Sequence, residues 1–297
     1  MGDAAEQVWA LVSGLPPGPR ERRRIMVMQA FIDDSTESGQ VLILAGYIAP
    51  SEQWALFSKE WRELLSIRPL WPRFKMSEIL TTAGDESRER ILHHYAVIKK
   101  YVHSAVVIAA PLAPFLKVVE TLILPEWAEN PYYAAWPRYY AAWPRFVGAV
   151  LQNSEMIGIN EPIDFIFDYQ SEAGRIMAGQ PAIYEAMQTI HGKKIGNFPI
   201  FRNEEELLPL QAADMFAWVM RKKFMTLGTI MGNQHYEFPW GPRMLIPNTL
   251  CMQLLEKEYF EMGYGIVGQR FKPVGGDESS GWIEVPQSAF RVKKEPS

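Results

Sequence analysis

Cysteine is nearly absent from this chain, which contains one such residue, Cys251, in 297 positions. A single cysteine cannot form a disulfide within the chain, and it excludes a zinc site built from paired cysteines. Proteins of oxidising compartments commonly rely on disulfides, so the sequence predicts a reducing, cytoplasmic location. The first residues carry acids rather than the basic segment of an export signal, which agrees with this expectation.

Long hydrophobic runs and excess positive charge are missing as well. No apolar segment approaches the ~18 residues that span a bilayer, so no membrane partner is expected. The net charge is −4, whereas proteins that hold nucleic acid mainly through its phosphates usually have a basic overall field. This composition weakens, without excluding, a nucleic-acid substrate. The 48% of hydrophobic residues is enough for a substantial core.

Apolar periodicity predicts an α/β domain at residues 25–227. It opens with a β-hairpin, in which two strands rich in Val and Ile are joined by a turn-forming segment. Strands are predicted at 25–32, 41–48, 105–110, 162–168 and 198–202, and helices at 51–65, 86–101, about 114–124, 173–190, from Pro209 onward and at 249–262.

The flanks of this domain differ from it in composition. Residues 1–24 are predicted to form an N-terminal arm and a linker rich in Pro and Gly. Residues 228–297 are predicted to be a C-terminal extension that packs on the domain and ends in a polar tail. A helical insertion is expected around residues 112–157.

Three acids occur where apolar elements end or face inward, and there an unpaired charge is costly. Asp33 and Asp168 each close a predicted strand, and Asp214 lies among apolar neighbours in the helix that begins at Pro209. Gln211 lies one turn before Asp214 on the same helix face, where its amide could hold Asp214, a water or a phosphate. If the two strands are neighbours, these side chains converge.

Converging carboxylates repel one another unless a cation neutralises them. Hard oxygen ligands with open positions suit Mg²⁺ or Mn²⁺, which can hold a phosphate and activate a water for in-line displacement. The sequence therefore predicts a metal site formed by Asp33, Asp168 and Asp214.

Simpler interpretations remain open for the same residues. Asp33 and Asp34 could be turn formers in the hairpin, and Asp168 could cap the helix that follows it. Lys75 and Glu78 could add a phosphate contact and a fourth carboxylate, and a surface loop explains them equally well.

Two segments of the chain resemble the family called domain of unknown function 3800. They are Phe-Ile-Asp-Asp-Ser at residues 31–35 and Leu-Gln-Ala-Ala-Asp at residues 210–214, and Ala-Gly-Tyr-Ile at residues 45–48 is similar to the family's second strand. The resemblance spans residues 25–225 by the order of elements. The sequence departs from the family pattern at Asp34, where Glu is usual, and at Thr36, where Gly is common.

The resemblance implies a ribonuclease H-like fold, a mixed sheet flanked by helices with a helical insertion. It also implies a metal-dependent nuclease or a related phosphoryl-transfer activity. In this first hypothesis Asp33, Asp168 and Asp214 bind metal, Asp34 is an auxiliary acid and Gln211 is a positioning residue.

Two other hypotheses use the same fold differently. A non-catalytic scaffold could bind nucleic acid or a protein partner through Trp136 and Trp143 of a tandem Tyr-Tyr-Ala-Ala-Trp-Pro-Arg repeat, although a kinked helix that packs its aromatics into the core is the favoured interpretation of that repeat. A hydrolase of small phosphorylated molecules would suit the acidic net charge better than a long polyanion does.

Overall fold

A six-stranded mixed sheet forms the centre of the protein. The computed structural model describes residues 4–11, 27–37, 40–81, 85–114, 146–169, 188–231, 235–237, 243–245, 248–254, 270–271 and 283–284. The helices are α1 (Ala4–Ala10), α2 (Ser51–Ser66), α3 (Met76–Thr81), α4 (Asp85–Tyr101) and α5 (Pro209–Leu227), with a 3₁₀ turn at Gly192–Lys194. The strands are β1 (Met28–Glu37), β2 (Val41–Pro50), β3 (Ser104–Pro111), β4 (Ile163–Asp168), β5 (Ile200–Arg202), β6 (His235–Glu237), β7 (Arg243–Leu245), β8 (Thr249–Gln253), β9 (Arg270–Phe271) and β10 (Ile283–Glu284).

The strand order of the central sheet is β5-β4-β1-β2-β3-β8. The first three strands form an antiparallel meander, and β4 then returns parallel to β1, with β5 parallel to β4. Three antiparallel strands followed by two that run parallel to the first make up the mixed sheet of a ribonuclease H-like fold. The predicted fold class is confirmed.

The β1–β2 hairpin is longer than the sequence predicts. β1 continues for four residues beyond Asp33, because the ladder runs on from the pair Asp33–Ala45 to the pair Glu37–Val41. The interpretation of Asp33 and Asp34 as turn residues is therefore wrong. Both lie within a strand, and Asp33 marks the point where the neighbouring strand β4 ends.

Helices α2 and α5 supply the aromatic side of the core. α5 starts at Pro209, as predicted, because proline suits the first helical turn. It ends where Gly228 adopts a left-handed conformation and donates its N–H to the Phe224 carbonyl. Tyr47 on β2 stacks on Phe216 of α5 with ring centroids 5.0 Å apart. This contact fixes α5 against the sheet.

The last strand in the order of the central sheet, β8, lies where the sequence predicts a helix. A helix is predicted at 249–262, but Thr249–Gln253 forms β8 and pairs in parallel with the outer edge of β3. The open edge of β3 offers hydrogen-bond partners that a periodicity argument does not take into account. β8 lies within the segment predicted as a C-terminal extension, and the division into domains stays a prediction.

Several predicted features lie outside the described residues. They are most of the helices at 114–124 and 173–190, most of the insertion at 112–157, the arm and linker apart from 4–11, and the tandem repeat with Trp136 and Trp143. In the ranges that the structure does describe, no helix combines the length and the apolar character needed to cross a membrane.

Gly46 on β2 provides a test of how tightly the hairpin is packed. A Cβ atom at this position would overlap the backbone oxygen of Phe31 on β1, and a strand backbone has no flexible end that can move away. We expect Gly46→Ala to lower the free energy of unfolding by about 1–3 kcal/mol or more in urea denaturation. The control is Gly148→Ala, where the nearest atom is 3.9 Å away, and stability should stay the same or rise slightly. Equal effects of the two substitutions would contradict this account.

Candidate metal centre

Asp33 and Asp168 lie side by side on neighbouring strands. The parallel ladder pairs Ile32 with Phe167, so the next residue on each strand is an aspartate, on the sheet face that carries Phe31. Each carboxylate is only 4% exposed. The predicted convergence of these two acids is present in the structure.

Each of these carboxylates accepts a backbone N–H with one oxygen and accepts no hydrogen bond with the other. The backbone N–H of Asp34 donates to Asp33 Oδ1 at 2.7 Å, and that of Tyr169 donates to Asp168 Oδ1 at 2.9 Å. The two Oδ2 atoms are buried and accept no hydrogen bond. A buried carboxylate oxygen without a partner is costly, and a cation would satisfy both oxygens together.

Glu204 is the third member of this cluster, and sequence reasoning missed it. One ligand oxygen from each of Asp33, Asp168 and Glu204 lies within 4.8 Å of the other two. Glu204 is fully buried and follows β5, whose last residue Arg202 pairs with Asp168. A glutamate just after a strand parallel to β4 was the available signal.

Asp214 comes to the same place from α5, and both of its oxygens have protein partners, as those of Glu204 do. Oδ1 lies 2.9 Å from the ammonium of Lys75, and Oδ2 accepts the backbone N–H of Met76 at 2.9 Å. The structure therefore brings all three predicted acids together. Among the described residues, the group spaced to hold a metal ion contains Glu204 in place of Asp214.

Lys75 is the cation at the centre of these acids. Its ammonium lies 2.9 Å from Asp214, 3.0 Å from Glu204 and 3.9 Å from Asp33, and its side chain is 15% exposed. The simple surface-loop explanation does not account for this position. Glu78, the other candidate from this segment, is instead exposed and pairs with Arg73.

Gln211 connects two segments of the site through hydrogen bonds. Its Oε1 accepts the indole N–H of Trp61 at 2.9 Å and the backbone N–H of Phe74 at 3.1 Å. Its Nε2 donates to the backbone carbonyl of Glu204 at 3.0 Å. The amide thus ties the segment before Lys75 to the segment that carries Glu204, and both of its polar atoms have protein partners.

Burial and mutual repulsion disfavour the charged forms of the clustered acids. Desolvation, reinforced by Asp214 and Asp34, raises the pKa of Asp33 well above its usual range. Desolvation raises the pKa of Asp168 to about 6 despite the opposing effect of Lys75, and it also raises the pKa of Glu204. Burial alone would lower the pKa of Lys75, but attraction by Asp214, Asp33 and Glu204 raises it overall.

The chemistry of these donors fits a hard divalent cation. Three carboxylates supply oxygen ligands, two buried oxygens among them accept no hydrogen bond, and burial raises the pKa values of Asp33 and Asp168 because it disfavours their charged forms. Mg²⁺ and Mn²⁺ both suit such a set.

Comparison with known proteins gives distant structural likenesses and no sequence match. No family model matches the chain, and no curated protein matches it. A crystal structure of Bst-RNase HIII in complex with Mn²⁺ is similar over 71% of this chain and 58% of that one, with 12% identity and a TM-score of 0.37. RNase HII in its complex with PCNA from Archaeoglobus fulgidus is similar over 91% of this chain and 96% of that one, with 13% identity and a TM-score of 0.35.

The chain therefore spans less than two thirds of the length of Bst-RNase HIII. The assignment to the ribonuclease H-like class of α/β folds rests on the strand order and pairing of the sheet itself.

The hydrogen bonds of Gln211 generate a stability prediction. Gln211→Leu would remove the hydrogen bonds that Gln211 makes to two buried N–H donors and to the buried carbonyl of Glu204, and each loss costs about 1–3 kcal/mol. We expect a loss of several kcal/mol in urea denaturation. The control is Gln152→Leu, at an exposed position, and it should change stability little. A Gln211→Leu variant as stable as the control would show that these hydrogen bonds contribute nothing.

The raised pKa of Asp168 generates a pH prediction for the metal-free protein. The folded state takes up this proton near pH 6, while the unfolded chain takes it up near the usual value of 3.8. The carboxylate therefore destabilises the fold above pH 6, and this destabilisation disappears as the pH falls from about 6 to about 4. With a chelator present, we expect Asp168→Asn to raise the free energy of unfolding by up to about 3 kcal/mol at pH 7.5.

Thermal unfolding followed by circular dichroism at several pH values would check this expectation. The advantage of Asp168→Asn over the wild type should shrink as the pH is lowered toward 4. Glu89→Gln, which changes an exposed carboxylate on α4, serves as the control and should show no such pH-dependent advantage. An Asp168→Asn protein less stable than the wild type at pH 7.5 would overturn the interpretation.

Proposed function

We propose that this protein is a divalent-metal-dependent nuclease, or a closely related phosphodiester hydrolase, with Asp33, Asp168 and Glu204 as metal ligands. The observation that carries the proposal is that Asp33 and Asp168 each have a buried Oδ2 atom that accepts no hydrogen bond, while one carboxylate oxygen from each of them and from Glu204 lies within 4.8 Å of the other two. Burying carboxylate oxygens without hydrogen bonds is costly unless a cation compensates them. Asp214 takes the role of the partner of Lys75.

A divalent ion at this position supplies Lewis-acid polarisation of a phosphate group and activation of a water molecule. The protein's own residues prepare the site for it. The backbone N–H groups of Asp34 and Tyr169 orient the two sheet carboxylates, and Gln211 holds the turn that carries Glu204. Asp34, adjacent on β1, is an auxiliary acid in this proposal, since its charge raises the pKa values of both sheet aspartates.

Nucleic acid is the substrate class that we propose. A hard cation held by carboxylates binds phosphate oxygens well, which points to a phosphodiester. The two segments that resemble the domain of unknown function 3800 supply Asp33 and Asp214, and both acids reach the same cluster. This convergence supports membership of that family. Mg²⁺ and Mn²⁺ are both proposed ions, and a cytoplasmic location remains an inference from the single cysteine.

Calorimetric titration of Mn²⁺ into the purified protein tests the metal site. We expect Asp33→Asn, Asp168→Asn and Glu204→Gln each to weaken binding more than about tenfold, because each removes a ligand charge. The control is Glu205→Gln, whose side chain is 62% exposed and contacts Arg73, and it should bind as the wild type does. Circular dichroism would establish that each variant is folded.

The same proteins would then be assayed on labelled RNA–DNA hybrid, duplex DNA, single-stranded RNA and a small phosphodiester. Cleavage that requires Mg²⁺ or Mn²⁺ and disappears with Glu204→Gln, but not with Glu205→Gln, is the expected result. A wild-type protein that binds no metal would rule the proposal out and favour a non-catalytic scaffold. Cleavage of the small ester alone would favour the hydrolase of small phosphorylated molecules.

A further inference from the structure

Lys75 extends its ammonium into the cluster of buried acids. Its ammonium touches the carboxylates of Glu204 and Asp214 at about hydrogen-bond distance and lies 3.9 Å from Asp33. These are three of the four buried acids of the cluster. Among the described residues, Asp168 is the one acid of the four that forms no ion pair with Lys75. It lies on β4, and strand β1, which carries Asp33, separates β4 from β2.

The oxygens that remain available support one ion rather than two. Both oxygens of Asp214 have partners, Lys75 and the backbone N–H of Met76, and both oxygens of Glu204 lie in ion pairs, with Lys75 at 3.0 Å and with Arg73 at 3.5 Å. Two buried carboxylate oxygens accept no hydrogen bond: Asp168 Oδ2, and Asp33 Oδ2, which lies 3.9 Å from the Lys75 ammonium. The buried carboxylate oxygens without a hydrogen bond therefore belong to the two sheet aspartates, whereas Glu204 and Asp214 already have Lys75 as a cation.

We propose that the site binds one divalent ion, and that Lys75 is a built-in second cation in place of the second ion of a two-metal centre. This inference rests on the proposed function. In a two-metal site the ions lie roughly 3.5–4 Å apart and share bridging carboxylates. An ammonium that bridges Asp33, Glu204 and Asp214 takes over those carboxylates and repels a second cation at close range.

The aromatic core keeps Lys75 in this position. Phe74, the residue before it, is fully buried and packs against Trp61 and His94, with ring centroids 5.2 and 4.8 Å apart. Met76, the residue after it, is also fully buried and donates its N–H to Asp214. With anchored residues on both sides, the backbone of Lys75 has little freedom to move its side chain out of the cluster.

The number of Mn²⁺ ions bound per chain, measured by calorimetry and by electron paramagnetic resonance, tests the proposal. We expect about one isolated ion in the wild type and in Lys75→Arg, which keeps the positive charge. Lys75→Met removes the cation that Glu204 and Asp214 share, so we expect about two ions with a coupled spectrum. Arg73→Met is the matched control, because it removes one positive charge 3.5 Å from Glu204 and should still bind about one ion.

The outcomes separate this inference from the function on which it rests. Two ions in the wild type, or a single ion in a folded Lys75→Met protein, would overturn the role of Lys75 while leaving a metal-dependent activity in place. No bound ion in the wild type would overturn the proposed function and this inference together. If Lys75→Met does not fold, the wild-type count and the Lys75→Gln variant, which keeps a polar side chain, decide the question.

Discussion

Repulsion among buried carboxylates is the constraint around which this structure is arranged. Asp33 and Asp168 end up adjacent because β1 and β4 are parallel neighbours, and the turn after β5 adds Glu204. A cluster of this kind is unstable in a low-dielectric interior unless cations enter it. Lys75 partly meets that need from the α5 side, where it also pairs with Asp214. The oxygens left on the sheet side define the position in which a further cation is favourable.

The hydrophobic core contacts the acidic cluster through the side-chain amide of Gln211 and a group of packed aromatic rings. Trp61 of α2 donates to Gln211 of α5, and Gln211 in turn holds the backbone of Phe74 and Glu204. His94 of α4 lies 4.6 Å from the Trp61 ring, and burial lowers its pKa to about 4, so it stays neutral among the aromatics. The packing of helices α2, α4 and α5 therefore sets the positions of the two segments that carry Lys75 and Glu204. Core substitutions that move these side chains should therefore shift the positions of Lys75 and Glu204.

Much of the sheet and half of the site could be predicted from residue patterns alone. Asp33 and Asp168 were found because an acid at the end of an apolar strand is unusual, and Asp214 because aspartate is unfavourable within a buried helix. The sequence suggests Lys75 only as a possible phosphate contact and does not single out Glu204, because both lie in short segments between elements, where charged residues are common and no periodicity distinguishes a buried side chain from an exposed one. Their role depends on tertiary contacts. β8 was mistaken for a helix for the same reason, since its partner on β3 is distant in sequence.

The ligands differ in how firmly they are positioned, and this difference bears on how the site works. Asp33 and Asp168 lie at strand positions, and the backbone N–H that follows each of them fixes one oxygen, so they need little ordering when a cation binds. Glu204 belongs to the turn after β5, where Gln211 binds its backbone carbonyl and Lys75 and Arg73 contact its carboxylate. A cation that binds Glu204 must therefore compete with two basic side chains, whereas Asp33 and Asp168 each have an oxygen that accepts no hydrogen bond. Affinity for a cation should then depend mainly on how strongly Lys75 and Arg73 hold Glu204.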